Sequence, residues 1–384
     1  MIRSTPTRAA LQRGFTLIEL IIAVGLSTLV GVLIYTVFIN QTRAYRAQAD
    51  MGTMQQNLRV AMEMLSRDVS MAGFGTSWNG QVWGAGGHGN TFAAYGGTEG
   101  NPVYSMWINQ DFPAGTSHDA IEVISMNPNR NTWAWAMGDV QDCGIGSLTF
   151  HADYAAQAAQ YDPAIAESQV MCFQPHHRGK PGSFLWDVVG TGAGGQVPIQ
   201  TNAQGDYVTE CTETLPQRLI CAPPRWVAYY VDDDNTDGVG IGSPSQPVLY
   251  YVPDVAEAMA TFGSYPSPND IPIAIGIEDL QAEVCLGGTG IDCQDPLSWT
   301  SGFDMRTGAP AWADLTAVRL HVVARTMRPD QERTNVSAPL DPVPGDGFAL
   351  PNNGIPDGYH RRVGTTEVQV RNATGAWQIV NAGW

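Results

Sequence analysis

One carboxylate, Glu19, stands inside the most apolar stretch of the chain, shortly after Gly14 and Phe15. A charged side chain in the hydrocarbon of a bilayer costs on the order of 2.5–3.5 kcal/mol, so such residues are usually paired and functional. A cut after Gly14 would create a second charge there, the amine of Phe15. We therefore expect the Glu19 carboxylate to neutralise the Phe15 amine of a neighbouring subunit and so to fix the step between subunits.

The apolar run from Phe15 to Ile39 is long enough to cross a membrane, at roughly 37 Å as a helix. Arginines but no acidic residues precede it, and this bias places Met1 in the cytoplasm. An ordinary secretory signal is cut after its apolar run. Here the small residue, Gly14, lies before the run. A cut there would remove a leader, residues 1–14, and leave a transmembrane segment, residues 15–39, on the mature protein.

A second group of candidate ligands lies in the stretch "YYVDDDNTDGVGIG". Asp233, Asn235 and Asp237, followed by Gly238, match the opening of an oxygen-ligand calcium loop. The twelfth position is Pro244 instead of Glu and no flanking helices are evident, which excludes a standard EF-hand. Because Asp, Asn and Gly are also favoured in hairpin turns, a solvated turn and a calcium site both stay open.

Catalytic motifs are missing from the sequence. It has no G-x-S-x-G nucleophile elbow, no H-E-x-x-H zinc motif and no dinucleotide fingerprint after a strand. The adjacent His176 and His177 in "QPHHRGKPG" are interpreted as part of a polar loop. We predict that the protein is not an enzyme. The formal net charge of −17 repels phosphate backbones, so no nucleic-acid partner is expected.

The six cysteines contain no C-x-x-C pair and no zinc-finger spacing. An even number in an exported body favours disulfides. Short loops favour the pairs Cys211–Cys221 and Cys285–Cys293, which leaves Cys143–Cys172 by elimination. Buried free thiols are the alternative.

A long helix is predicted to contain both Phe15 and Glu19. No proline occurs between Pro6 and Pro102, and the glycines of "AGFG" at 72–75 suit a helix end, so one helix is predicted from Phe15 to about Met71. Its second part, residues 40–72, is amphipathic. The apolar stripe there is expected to pack against a head domain, residues 73–384; it consists of Met51, Met54, Leu58, Met62, Leu65 and Val69.

The sequence of the head predicts a set of short strands. The predicted strands are 119–126, 225–231, 247–252, 271–285, 315–326 and 363–371. In 315–326 the alternation places Val318, Leu320, Val322 and Ala324 on one face and mostly Arg319, His321 and Arg325 on the other. A helix followed by strands indicates an α+β fold in which the helix packs on an antiparallel β-sheet body.

The segment "GFTLIELIIAVGLSTLVGVLI" resembles the type IV prepilin signature of pilus and type II secretion subunits. In those proteins a dedicated membrane peptidase cuts after the glycine and methylates the new terminal residue. The resemblance implies that Gly14 is the cleavage position, that Phe15 is the methylated terminus and that Glu19 is the fifth residue of the mature chain.

Four body motifs, in the same order, resemble the PilW group of minor pilins: "RDVSMAGFG", "IGIEDLQAEV", "LTAVRLHVVART" and "YHRRVGTTEVQVRN". This resemblance implies a pilin-like fold and a non-catalytic subunit that primes or caps a type IV pilus. The implied partners are the prepilin peptidase, other minor and major pilins and the inner-membrane assembly machinery. The implied location is the bacterial inner membrane, with a periplasmic head, and later the pilus at the cell surface.

Two alternatives to this function stay open: a pseudopilin of type II secretion, and a membrane-tethered enzyme or ligand-binding module. Three stretches have no counterpart in the resemblance: 76–118, 141–222 and the last twelve residues. They are interpreted as large loop insertions rather than as contacts made at a pilus tip.

Overall fold

We describe the protein from a computed structural model. The structure describes residues 15–74, 81–82, 103–109, 118–126, 138–144, 147–150, 169–173, 183–188, 196–200, 217–222, 224–232, 246–253, 255, 269–286, 293–295, 298–301, 315–329 and 359–370. Gly14, the leader, the Asp233–Asn235–Asp237 loop and the His176–His177 pair lie outside these residues, so their predictions are not tested.

One helix, α1, runs over Leu17–Ser70 and passes through both compact units of the chain, Met1–Gly52 and Thr53–Trp384. In the first unit its apolar side chains are exposed, and the helix is long and apolar enough to cross a membrane. In the second unit the helix buries apolar residues at helical spacing: Met54, Leu58, Ala61, Leu65 and Val69. Met62 is partly buried and packs against this core. The predicted apolar stripe is therefore confirmed within the second unit.

The strands are β1 Gln81–Val82, β2 Val103–Tyr104, β3 Met106–Asn109, β4 Ala120–Met126, β5 Gly138–Gly144, β6 Ser147–Phe150, β7 Gln169–Phe173, β8 Ser183–Val188, β9 Gln196–Gln200, β10 Gln217–Ala222, β11 Pro224–Asp232, β12 Val248–Val252, β13 Ile271–Ile275, β14 Ile277–Leu286, β15 Trp299–Ser301, β16 Leu315–Arg325 and β17 Arg361–Gln369.

These strands form four separate sets. A five-stranded sheet has the order β13-β12-β11-β4-β3 and a four-stranded sheet the order β15-β14-β16-β17. A closed barrel has the order β10-β5-β6-β9-β8-β7, and β1 pairs with β2. Every pairing is antiparallel. The predicted α+β class, with one long helix and antiparallel sheets, is confirmed.

One hydrophobic core joins the second-unit part of α1 to the five-stranded and four-stranded sheets. Strand β16 supplies Val318, Leu320, Val322 and Ala324 to it, as the alternation predicted. Strand β17 lies close to the helix: a Cβ atom at Gly364 would stand 3.0 Å from Cδ1 of Leu58. The helix stripe therefore packs between elements that are far apart in sequence.

The prediction of one continuous strand over 271–285 is wrong, because the segment is divided between two sheets at Gly276. This residue has a φ of 82°, a conformation that side chains other than glycine rarely adopt. Its amide donates to the Pro247 carbonyl at 2.6 Å, and its carbonyl accepts from the Arg325 amide at 2.8 Å. Apolar residues alternate without interruption across Gly276, so the sequence pattern did not indicate a corner there.

The interpretation of 76–118 and 141–222 as loops is also corrected. The described parts of 76–118 form β1, β2 and β3, and β3 belongs to the five-stranded sheet. The described parts of 141–222 form the end of β5 and the strands β6 to β10 of the closed barrel. The barrel strands are short and several are polar, such as "GDVQDCG" in β5 and "QVPIQ" in β9. They were missed because such sequences lack the β-branched alternation used to identify strands.

Gly276→Ala is expected to destabilise the head by about 2 kcal/mol, since non-glycine residues at positive φ cost on the order of 1–3 kcal/mol. The added Cβ would also stand 2.8 Å from the Arg325 carbonyl oxygen. Thermal unfolding of the full chain in detergent measures the effect. Gly52→Ala is the control, because a Cβ there meets nothing within 4 Å and alanine favours a helix. An unchanged melting temperature for Gly276→Ala would contradict the role of this corner.

Candidate functional site

The first turn of α1 is closed by Thr16 and Glu19. The Thr16 amide donates to Oε2 of Glu19 at 2.9 Å, and the Thr16 hydroxyl donates to the same oxygen at 3.0 Å. In return the Glu19 amide donates to the Thr16 hydroxyl oxygen at 3.3 Å. This is a capping box, which satisfies amides left unpaired at a helix start and places a negative charge at the positive end of the helix dipole.

The capping box gives Glu19 a second role that the sequence analysis did not identify. Its signal was present: Thr16 and Glu19 stand three residues apart, the spacing of a capping box. Within one chain, Glu19 is therefore held by Thr16, while Phe15 beside it is 90% exposed. Both the carboxylate and the residue predicted to carry the new amine lie at the accessible end of the helix. Cleavage after Gly14 and methylation of Phe15 stay predictions.

The other end of α1 is anchored by a buried carboxylate. Asp68 is 3% exposed, and both its oxygens accept from Arg225 of β11 at 2.7 Å. Its Oδ2 also accepts from the Tyr229 hydroxyl at 2.5 Å, and Arg225 donates to the Tyr251 hydroxyl at 3.0 Å. A bidentate guanidinium–carboxylate pair is both strong and directional. The cluster therefore fixes the last turns of α1 against β11 and β12.

Burial and charge act together in this cluster. Burial raises the pKa of the Tyr229 hydroxyl, and the charge and hydrogen bond of Asp68 raise it further. Burial alone would lower the pKa of Arg225, but the hydrogen bonds and charge of Asp68 outweigh it and the pKa rises. Arg225 stays cationic and Tyr229 stays a neutral donor. The sequence signal was a charged residue inside the apolar stripe, between Leu65 and Val69.

A second buried cluster lies on the four-stranded sheet, on the side away from the core. A bulge at Glu278 interrupts the register of β14 against β16, which passes from Ile277–Ala324 to Asp279–Val323. The Glu278 carboxylate accepts from Arg325 at 3.0 Å and from Arg361 at 2.6 and 2.9 Å. The guanidinium of Arg325 also lies 4.4 Å from the Tyr359 ring centroid. These contacts join β14, β16 and β17.

Further along the same side, Arg319 of β16 makes a second set of charge contacts. It donates to Glu367 of β17 at 2.9 Å and to Glu283 of β14 at 3.4 Å. Its guanidinium lies 3.8 Å from the ring centroid of Trp299 on β15. His321 lies 3.3 Å from the same Glu283. The two sets of contacts together connect all four strands of the sheet.

The predicted disulfide Cys285–Cys293 is confirmed, and it stands next to these charge contacts. The Trp299 indole donates to the Cys293 carbonyl at 3.1 Å, so the bridge supports the ring on which Arg319 lies. For the two other predicted pairs, Cys211 is outside the described residues, as are the side chains of the remaining cysteines. The backbone register places Cys172 opposite Cys221.

The chemistry of these clusters is that of attachment. The arginines pair with carboxylates of neighbouring elements, so each pair links two parts of the head. A buried pair of another kind, His118 and Asp279, is 2.7 Å apart, with Gln281 donating to the same Asp279 oxygen at 3.2 Å. Among the described residues no group of three His, Cys, Asp or Glu side chains could hold a metal ion. Calcium at Asp233, Asn235 and Asp237 stays a prediction.

Two family models match this chain. Residues 10–35 match the prokaryotic N-terminal methylation motif, and residues 228–372 match type IV pilus-assembly protein W. The predicted resemblance to type IV prepilins and to the PilW group is therefore confirmed. The second match covers β12 to β17 and most of β11, including both charge clusters of the four-stranded sheet.

Among solved structures, the type IV-like pilin TTHA1219 from Thermus thermophilus matches at 15% identity and a TM-score of 0.22, over 58% of this chain and 98% of that chain. No curated protein matches.

Asp68→Ala is expected to destabilise the protein by about 3 kcal/mol, because breaking a buried ion pair leaves its partner charge uncompensated. Urea unfolding of the full chain in detergent measures the loss. Glu63→Ala, which removes an exposed carboxylate of the same helix, should stay within about 0.5 kcal/mol of wild type. The double variant Asp68→Leu/Arg225→Leu should recover much of the loss. Equal stability of Asp68→Ala and Glu63→Ala would contradict the anchor.

Cys293→Ser is expected to lower the free energy of unfolding by about 2 kcal/mol, near the lower end for disulfides because the closed loop is short. The bridge joins residues eight positions apart and supports Trp299. Hydrogen exchange should therefore show faster exchange at the amides of β15, with β17 as the internal reference. If β15 keeps its protection in the variant, the disulfide does not hold that strand.

Proposed function

We propose that this chain is a minor pilin-type subunit that primes or caps a type IV pilus and catalyses no reaction. The observation that carries the proposal is the presence, in one chain, of a prepilin methylation motif over residues 10–35 and a PilW domain over residues 228–372. The first is a processing and assembly signal and the second is a pilus-assembly domain. The attachment chemistry of the buried clusters suits a subunit that transmits load through a head.

The route to the membrane follows from the amino-terminal segment. The basic leader stays in the cytoplasm and the apolar part of α1 inserts in the inner membrane, with the head in the periplasm. Prepilin peptidase cuts after Gly14 and methylates Phe15. The helix then already starts with the Thr16–Glu19 capping box, since neither residue is removed by the cut.

Assembly uses the charge of Glu19. In the isolated subunit the carboxylate is held by Thr16 at an exposed site. A neighbouring subunit that brings its Phe15 amine to this site provides the missing counter-charge, which is favourable in a medium that solvates neither group. Other minor and major pilins are therefore the direct partners, and the inner-membrane assembly machinery places them. Subunits then reach the cell surface with the filament.

Glu19→Gln separates the two roles of this residue, because glutamine still serves in a capping box but carries no charge. In a strain lacking the chromosomal copy, we expect Glu19→Gln and Glu19→Ala to be processed normally and to be lost from sheared filaments. Mass spectrometry of the amino terminus measures processing, and quantitative blotting of filaments measures incorporation.

Thr16→Ala is the matched control, since it removes the hydroxyl of the cap and keeps the charge; we expect it to be incorporated more efficiently than Glu19→Gln. Normal incorporation of Glu19→Gln would reject charge pairing. Wild-type protein that is absent from pili but present in secretion complexes would reject the pilus role itself.

A further inference from the structure

The barrel strands are inserted between two strands that are direct neighbours. Strand β4 ends at Met126 and β11 begins at Pro224, and these two residues stand opposite each other in the antiparallel register. The chain thus leaves the five-stranded sheet at one end of a β4–β11 pair and returns at the same end. Neighbouring antiparallel strands are commonly joined by two to five residues, so the topology of the sheet does not require the inserted chain.

The inserted chain, residues 127–223, has its own closed hydrogen-bonding order. All six strands described in it, β5 to β10, pair with one another as a barrel. The five-stranded sheet, the four-stranded sheet and α1 meanwhile share the core described above. We call these two sheets and α1 the frame, and residues 127–223 the barrel module. The match to type IV pilus-assembly protein W, residues 228–372, begins after the module ends.

The cysteines are divided in the same way. Cys285 and Cys293 of the frame are bonded to each other. The other cysteines of the chain are Cys143, Cys172, Cys211 and Cys221, and all lie inside the barrel module. Any disulfide that they form within the chain must therefore join two positions of the module. No disulfide can tie the module to the frame, so the two parts are covalently connected only through the chain at residues 126–127 and 223–224.

We propose that residues 127–223 form a separable module displayed by the frame, and that incorporation into a filament requires the frame alone. The inference rests on the proposed pilin role and divides it: the frame carries assembly, and the module is not needed for it.

Hydrogen exchange of the full wild-type chain in detergent tests the separation without any deletion. Amides of β5 to β10 should exchange through an opening that leaves β14 and β16 protected, and increasing urea should open the two groups in separate steps. Exchange of both groups in one cooperative step, with the same urea dependence, would overturn the inference.

A deletion tests the division of function. In this variant Met126 is joined to Pro224 through Asn-Gly, the turn that suits two directly paired strands. Expressed in the strain lacking the chromosomal copy, it should restore pilus number to the wild-type level and be recovered in sheared filaments. Gly276→Val strains the frame and leaves the module intact. This variant should neither restore pilus number nor be recovered in sheared filaments. A deletion variant that accumulates in the membrane but is excluded from filaments would overturn the proposal.

Two further outcomes distinguish failure of the module proposal from failure of the proposed pilin role. If the deletion variant is degraded, the exchange experiment on the intact chain decides, since it does not depend on the deletion. If wild-type protein itself restores no pili to the strain, the proposed pilin role fails, while the exchange result still reports whether the module opens separately.

Discussion

The Asp68 carboxylate fixes the position of the second-unit part of α1 on the five-stranded sheet. A stripe of apolar side chains can slide or rotate by small amounts on a sheet, because dispersion and hydrophobic contacts have little directionality. A carboxylate that accepts two hydrogen bonds from Arg225 and a third from Tyr229 cannot. Since an unpaired charge at that depth is costly, the buried state of the helix end and the position of β11 depend on each other. The core packs around that fixed contact.

Charge pairs also fix the four-stranded sheet, on the side away from the core. Strand β17 reads "RRVGTTEVQ" and offers few apolar side chains for a core. Its attachment comes instead from Arg361 to Glu278 and from Glu367 to Arg319. Both contacts cross strands, so they hold β17 at one register along β16 and β14. A sheet fixed in this way resists shear between its strands.

At the amino terminus the Glu19 carboxylate is hydrogen-bonded within its own chain. Glu19 was identified from the cost of a carboxylate in an apolar run, an argument that concerns other subunits. The capping box with Thr16 adds that the carboxylate is already useful to its own helix. The same side chain therefore stabilises the helix start and presents a negative charge at an exposed position.

What depends on local pattern could be read from the sequence alone. The order of residues 13–25 indicates the prepilin-type segment, helical spacing indicates the apolar stripe of α1, a period of two indicates the alternation of β16, and a short loop indicates Cys285–Cys293. Tertiary structure alone decided what depends on residues distant in sequence. The partners of Asp68, the bulge that directs Glu278 to two arginines, the corner at Gly276 and the barrel between β4 and β11 all arise from strand pairing. Such pairing is set by which distant segments bury one another, and no window along the chain contains that information.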